Sequence, residues 1–163
     1  MINNINYTCK KLFQEIKAMD LDHIKAKQLL EESKAKGILA LDLGMKKVGV
    51  AIAEHGINLA LPVSVINYKK LSTLLEELTK IMADRNIALF VIGAVDLGEN
   101  SPYKRLIKAL EEFEIPICFE DEAYTTSIAN QMLKEHGISR KKRNTMDDMV
   151  AAQLILQSFL DKL

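Results

Sequence analysis

Two short apolar runs separated by a polar turn constrain the fold of this chain more than any other feature. The runs cover Ile38 to Leu43 and Val48 to Ala53, and each is too short for an ordinary helix. The glycine and lysines between them are typical of a turn, so the stretch predicts a β-hairpin. The first strand carries a carboxylate near its end, Asp42, whose charge is costly to bury without compensation. Asp42 is therefore the first candidate for a cation ligand.

The composition predicts a soluble globular domain of ordinary size. The 163 residues are 48% hydrophobic and 27% charged, with a formal net charge of zero. A nucleic-acid partner would therefore have to be held by local basic patches. Two cysteines give no disulfide framework, and no apolar run approaches the roughly 18 residues of a membrane span. The N-terminus lacks the features of a signal peptide, so we expect a cytoplasmic protein without a membrane partner.

The remaining periodicities predict an α/β domain with a mixed five-stranded sheet. Further strands are predicted over 59–66, 87–95 and 115–119, and helices over 71–85, 102–113, 125–136 and 146–160. Pro62 lacks a ladder donor, so its strand should lie at a sheet edge. Strands joined through helices pair in parallel. The sheet should therefore have an antiparallel hairpin half and a parallel half, with helices on both faces.

Residues 1–36 are predicted to be a helical N-terminal extension, and residues 37–163 the main domain. The extension is rich in lysine and glutamate, and Asp20 or Asp22 could cap a helix within it. Gly37 is expected to end that helix and begin the first strand. We expect the extension to pack on the main domain rather than to bind a partner, because amphipathic surface helices are common.

Most of the 22 acidic residues are expected on the solvated surface, but three of them occupy positions that set them apart. Asp42 lies near the end of one strand and Glu122 follows another, and the carboxyl ends of these strands should meet at one sheet edge, where ligands collect in such folds. At about 100° per residue, Asp148 falls on the apolar stripe of the last helix with Ala152 and Ile155. A turn cap would also explain Asp42, helix capping would explain an acid near Asp148, and surface exposure would explain Glu122. The convergence of all three favours a site.

The chemistry of these ligands favours a magnesium or manganese site. Hard carboxylate oxygens without histidine or cysteine select Mg²⁺ or Mn²⁺. Two such ions about 3.5–4 Å apart can hydrolyse a phosphodiester bond. We therefore predict that Asp42, Glu122 and Asp148 are both catalytic residues and metal ligands.

Basic residues near these acids are candidates for phosphate contacts. One group lies in the hairpin turn, and another lies in a predicted basic turn over 139–143 before the last helix. Two threonines after Glu122 could contact phosphate or cap the following helix. The predicted nucleic-acid-binding residues are Lys46, Lys47, Thr125, Thr126, Arg140, Lys141 and Arg143.

Several ordered motifs resemble the YqgF family, and the likeness covers Gly37 to the C-terminus. The motifs are Leu41 to Ala51 (LDLGMKKVGVA), Asp121 to Thr126 (DEAYTT), Gly137 to Arg143 (GISRKKR) and Asp148 to Ser158 (DMVAAQLILQS). Members are described as Holliday-junction-resolvase-like proteins and as nucleases of pre-16S ribosomal RNA. The resemblance implies a ribonuclease-H-like fold, a divalent-metal nuclease and a role in ribosome biogenesis. The family's acids fall on Asp42, Glu122 and Asp148.

The sequence departs from the family pattern at a few positions while keeping its acids. Met45 stands where the family usually has threonine or serine, and Lys47 where arginine is common. Ala94 and Val95 follow Gly93 where leucine and proline are usual. Ala123 replaces an arginine, which removes a phosphate or structural contact.

Two other functions compete with a nuclease. One is an ATP-binding protein of the sugar-kinase, actin and Hsp70 type, which needs two such domains where 163 residues hold one. The other is a nucleic-acid-binding protein without catalysis. Within the nuclease interpretation, the sequence leaves a ribosomal RNA precursor and a DNA junction open as substrates.

Overall fold

The structure, a computed structural model, describes residues 21–95, 97–120 and 140–163, with side chains from residue 149 onward in the last range. Glu122, Thr125, Thr126 and the helix predicted over 125–136 lie outside the described residues. So do residues 1–20 of the predicted extension. The side chains of Arg140, Lys141, Arg143 and Asp148 are likewise outside the description, although the helix that contains them is described.

The described residues form a five-stranded mixed sheet in the order β3-β2-β1-β4-β5. The strands are β1 (Gly37–Leu43), β2 (Lys47–Glu54), β3 (Leu61–Asn67), β4 (Ile87–Gly93) and β5 (Ile117–Glu120). β1 pairs antiparallel with β2 and parallel with β4, while β2–β3 is antiparallel and β4–β5 is parallel. The predicted hairpin half and parallel half are confirmed. β3, which contains Pro62, lies at the edge as predicted.

Four helices and a short 3₁₀ turn surround the sheet in the described part of the chain. The helices are α1 (His23–Glu32), α2 (Leu71–Met82), α3 (Tyr103–Leu110) and α4 (Arg140–Leu160), and the 3₁₀ turn is Glu111–Phe113. None of the described helices combines the length and apolarity needed to cross a bilayer.

The sheet has a hydrophobic core on each face, because side chains alternate along its strands. Ile38 and Ala40 of β1 belong to one core, together with residues of α1 and α4. Leu39 and Leu41 belong to the other core, together with residues of α2 and α3. β1 and β4 are therefore covered on both faces, as predicted for a sheet with helices on both faces.

The last helix begins earlier than predicted. α4 begins at Arg140, so the basic turn predicted over 139–143 is wrong for Arg140 to Arg143, which are helical. Arginine and lysine are good helix formers, and a run of them contains no residue that breaks a helix. The apolar stripe of α4 is confirmed, since Ala152, Ile155 and Phe159 are fully buried.

Helix α1 packs on the same core as α4. Asp22 caps α1 by accepting a hydrogen bond from the Lys25 backbone N–H at 2.8 Å, as one of the two predicted caps. The buried Cys118 Sγ lies 2.9 Å from the Leu21 carbonyl, which ties the start of this segment to β5. Gly37 begins β1 but does not end the helix, because α1 ends at Glu32 and Ser33 is its C-cap.

A pair of substitutions in α1 tests whether this helix is an integral part of the fold. Leu30 is fully buried and Ile24 is 80% exposed on the same helix. We expect Leu30→Ala to lower the free energy of unfolding by about 3 kcal/mol, because it leaves a cavity in the core. Ile24→Ala should change it by less than about 0.5 kcal/mol. Equal urea midpoints for the two variants would show that α1 adds little to the core.

Candidate active site

Asp42 lies near the carboxyl end of β1, the central strand of the sheet. The parallel strands β4 and β5 end at the same edge, at Gly93 and Glu120. Ile38 and Ala40 face the core that contains α4, so strand alternation puts Asp42 on that face as well. The half-buried carboxylate thus shares its face of the sheet with the helix that carries Asp148.

Glycines flank Asp42 in both neighbouring strands. Gly49 of β2 is its antiparallel partner. On the other side Ile92 pairs with Leu41, so the next residue, Gly93, continues the row beside Asp42. A glycine inside a strand often marks a place where a ligand or another backbone approaches closely. Sequence reasoning did not single out these two glycines, although glycine within an apolar strand is a signal that could have drawn attention to them.

The hairpin turn after Asp42 has a tight backbone geometry. The Gly44 backbone N–H donates to the Lys47 carbonyl at 3.0 Å. A Cβ at position 44 would lie only 2.6 Å from that carbonyl oxygen, which explains the glycine. The turn thereby presents Met45 and Lys46 to solvent, whereas Lys47 is half-buried.

The structure describes two of the three predicted acidic positions, Asp42 on β1 and Asp148 on α4. Asp148 lies on α4, one turn before the buried Ala152, and Glu122 lies outside the described residues. Among the side chains that are described, no group of three or more histidines, cysteines and acids is arranged to hold a metal ion. The joint site of Asp42, Glu122 and Asp148 therefore remains a prediction.

Glu120 is a buried acid that sequence reasoning did not single out. Its side chain is fully buried, with Oε1 accepting a hydrogen bond from Ser158 at 2.8 Å and also contacting the Lys162 ammonium. Its Oε2 lies 2.7 Å from His23 Nε2, and because a carboxylate only accepts, the histidine donates. The His23 ring packs on Phe159 with the centroids 5.3 Å apart.

This network lies on the same face as Asp42. Continuing the strand register places Glu120 in the row of Gly93 and Asp42, two strands from β1 and about 10 Å away. The contacts of Glu120 with His23, Ser158 and Lys162 join β5 to α1 and to the C-terminal end of the chain, where α4 ends. Of the three acids predicted for the candidate site, Asp42 is the one whose side chain lies within the described part of the chain.

Comparison with known proteins gives the family. The family model described as "RuvX: Holliday junction resolvase" matches residues 36–162. The chain belongs to the RuvX family. A RuvX relative from Thiobacillus denitrificans is 38% identical over 131 residues, covering 76% of this chain and 90% of the relative. One from Nitrosomonas europaea is 34% identical, covering 76% and 88%. Both relatives are described as "Putative pre-16S rRNA nuclease".

A solved structure of a resolvase has a similar fold. The Fowlpox virus resolvase in complex with its Holliday junction DNA superposes with a TM-score of 0.54 at 13% identity, covering 77% of this chain and 97% of the resolvase. At that identity the likeness concerns the fold alone. The resemblance to the YqgF family is confirmed, and so is the ribonuclease-H-like mixed sheet.

Proposed function

We propose that the chain is a metal-dependent nuclease that hydrolyses phosphodiester bonds, with pre-16S ribosomal RNA as its substrate in the cytoplasm. One observation carries the proposal. The chain belongs to the RuvX family, and its Asp42 lies near the carboxyl end of the central strand, on the face covered by α4. That edge is where ligands bind in sheets with parallel strands.

The residues near this edge fit a divalent cation. Asp42 offers hard oxygen donors, and neighbouring Gly49 and Gly93 add no side chain that would fill the space beside it. Asp42, Glu122 and Asp148 would hold Mg²⁺ or Mn²⁺, since carboxylates suit these ions. When bound, the ion would favour attack by water and stabilise the leaving oxygen. The contribution of the chain is to fix the carboxylates on a paired central strand and a packed helix.

Basic residues would hold the substrate backbone around this centre. Lys46 lies in the turn that follows Asp42 and Lys47 begins β2, while Arg140, Lys141 and Arg143 belong to the first turn of α4. Thr125 and Thr126 complete the proposed set. Lysine and arginine contacts to phosphates fix the register and orientation of a nucleic acid without reading its sequence.

A DNA junction is the second candidate substrate. The family model bears the description of a Holliday junction resolvase, and the Fowlpox virus resolvase of similar fold was solved with such a junction. A nucleic-acid-binding protein with little catalysis is the remaining alternative, because Ala123 stands in place of the family arginine.

Cleavage assays on two substrates test the proposal. The full chain would be incubated with an end-labelled pre-16S RNA fragment and with a four-way DNA junction, each with Mg²⁺, Mn²⁺ or EDTA. We expect metal-dependent cleavage, with the RNA precursor cut faster. Faster cleavage of the junction would show that branched DNA, and not the RNA precursor, is the preferred substrate. Binding of either substrate without cleavage in any metal would refute the nuclease and favour the binding protein.

A further inference from the structure

The hairpin turn after Asp42 is joined to a second basic segment. The Tyr68 backbone N–H donates to the Lys46 carbonyl at 2.9 Å, and the Tyr68 hydroxyl donates to the Gly44 carbonyl at 2.8 Å. Two further lysines, Lys69 and Lys70, follow Tyr68 directly. The chain thus brings two lysine pairs to one end of the sheet, although they are more than 20 residues apart in sequence.

Tyr68 is suited to hold the two segments together at neutral pH. Burial of the phenol, and to a lesser degree the neighbouring Tyr103, raise its pKa above the ordinary value of 10.0. A phenol with an ordinary or raised pKa is protonated at neutral pH, so the hydroxyl remains a donor to Gly44. Tyr68 also packs against the core formed with α2 and α3, which fixes the position of the turn.

The positions of Lys69 and Lys70 are not explained by the fold. Both side chains are exposed. Lys70 occupies the N-cap position of α2 and makes no capping hydrogen bond with its side chain. Serine, threonine, aspartate and asparagine are preferred there, because their side chains accept from the free backbone N–H groups. A residue that breaks a local rule without a structural gain is a candidate for a functional role.

We infer that Lys46, Lys47, Lys69 and Lys70 form one phosphate-binding surface, which takes the sugar-phosphate backbone of the nucleic acid at the end of the sheet where the candidate active site lies. The inference rests on the proposed function for its ligand, and it adds Lys69 and Lys70 to the residues that bind substrate. Lysines on one surface would neutralise phosphates of the bound strand, and such contacts make affinity depend on salt. Tyr68 is the positioning residue that joins the two halves of the surface.

The salt dependence of RNA binding tests this surface. A fluorescently labelled structured RNA would be titrated with the full chain in EDTA, so that metal-dependent cleavage does not interfere, over a series of KCl concentrations. For Lys69→Ala/Lys70→Ala, we expect the dissociation constant at moderate salt to rise about tenfold. The slope of the logarithm of the binding constant against log[KCl] should fall in magnitude by about 1.8, or about 0.9 for each lost phosphate contact. The charge-matched control is Lys34→Ala/Arg85→Ala, which removes two exposed cations just before the amino ends of β1 and β4.

The outcomes separate this inference from the proposed function. A smaller slope for the Lys69/Lys70 variant, with the control unchanged, supports the surface even if the wild type does not cleave. An unchanged slope in a protein that cleaves RNA overturns the surface and leaves the nuclease intact. Equal losses in the test and control variants would also overturn it, because the effect would then be one of net charge. Matching thermal midpoints show that all variants are folded.

Discussion

Asp42→Asn is expected to lower metal-dependent cleavage by about 10³-fold, because a lost metal ligand removes several kcal/mol of transition-state stabilisation. Asparagine keeps the shape of the side chain but loses the charge that attracts the cation. Binding of RNA in EDTA should survive, since the lysines that contact phosphate are unchanged. The measurement is the initial rate of cleavage at several Mn²⁺ concentrations.

A matched control separates the role of Asp42 from a general effect of charge. Asp84 is an exposed aspartate before β4, at the opposite edge of the sheet, so Asp84→Asn should cleave at the wild-type rate. Manganese should raise the thermal midpoint of the wild type and of Asp84→Asn but not that of Asp42→Asn, because an ion that binds the native state stabilises it. If Asp42→Asn cleaved at the wild-type rate, Asp42 would be no ligand of the catalytic ion.

The second large effect is expected when Glu120 loses its contacts with His23 and Lys162. His23→Phe with Lys162→Met keeps a ring against Phe159 but leaves the buried carboxylate with Ser158 alone among the partners described above. We expect the free energy of unfolding to fall by about 4 kcal/mol, because the fully buried carboxylate loses the two partners that offset its desolvation. Urea denaturation at neutral pH measures the change.

A third substitution shows whether the stranded charge is the cause. Adding Glu120→Gln to the double variant should restore much of the lost stability, because a neutral amide costs less to bury than a carboxylate. Lys25→Met is the control for an exposed pair, since Lys25 Nζ lies 3.8 Å from Asp22 at the surface. It should cost less than about 1 kcal/mol. If the triple variant were no more stable than the double one, lost packing would explain the effect.

The sequence was sufficient to predict the elements whose signals are local. The two short apolar runs around a polar turn predicted the hairpin, and Pro62 predicted the edge strand, because each signal depends on a few adjacent residues. The basic run at Arg140 was misassigned because its charges indicate exposure to solvent but not backbone conformation, and lysine and arginine are good helix formers. The end of α1 was misplaced because Gly37 serves a strand rather than a cap.

The parts that could not be predicted depend on long-range contacts. Glu120 is one of three consecutive acids, and its burial follows from His23, 97 residues away, and Lys162, 42 residues away. The link between the hairpin turn and Tyr68 spans 24 residues and also left no sequence signal. Periodicity reports which face of an element is buried, but it does not identify the partner that a polar side chain will meet.

The place of β1 within the sheet has a consequence for how long the candidate site keeps its shape. β1 has a hydrogen-bonded strand on both sides and a core on both faces. Amide protons in such a strand exchange with solvent only through large openings, whereas those of an edge strand exchange through local fraying. The backbone beneath Asp42 should therefore be among the slowest to take up deuterium, so that warming removes the carboxylate from its place only when the domain as a whole unfolds.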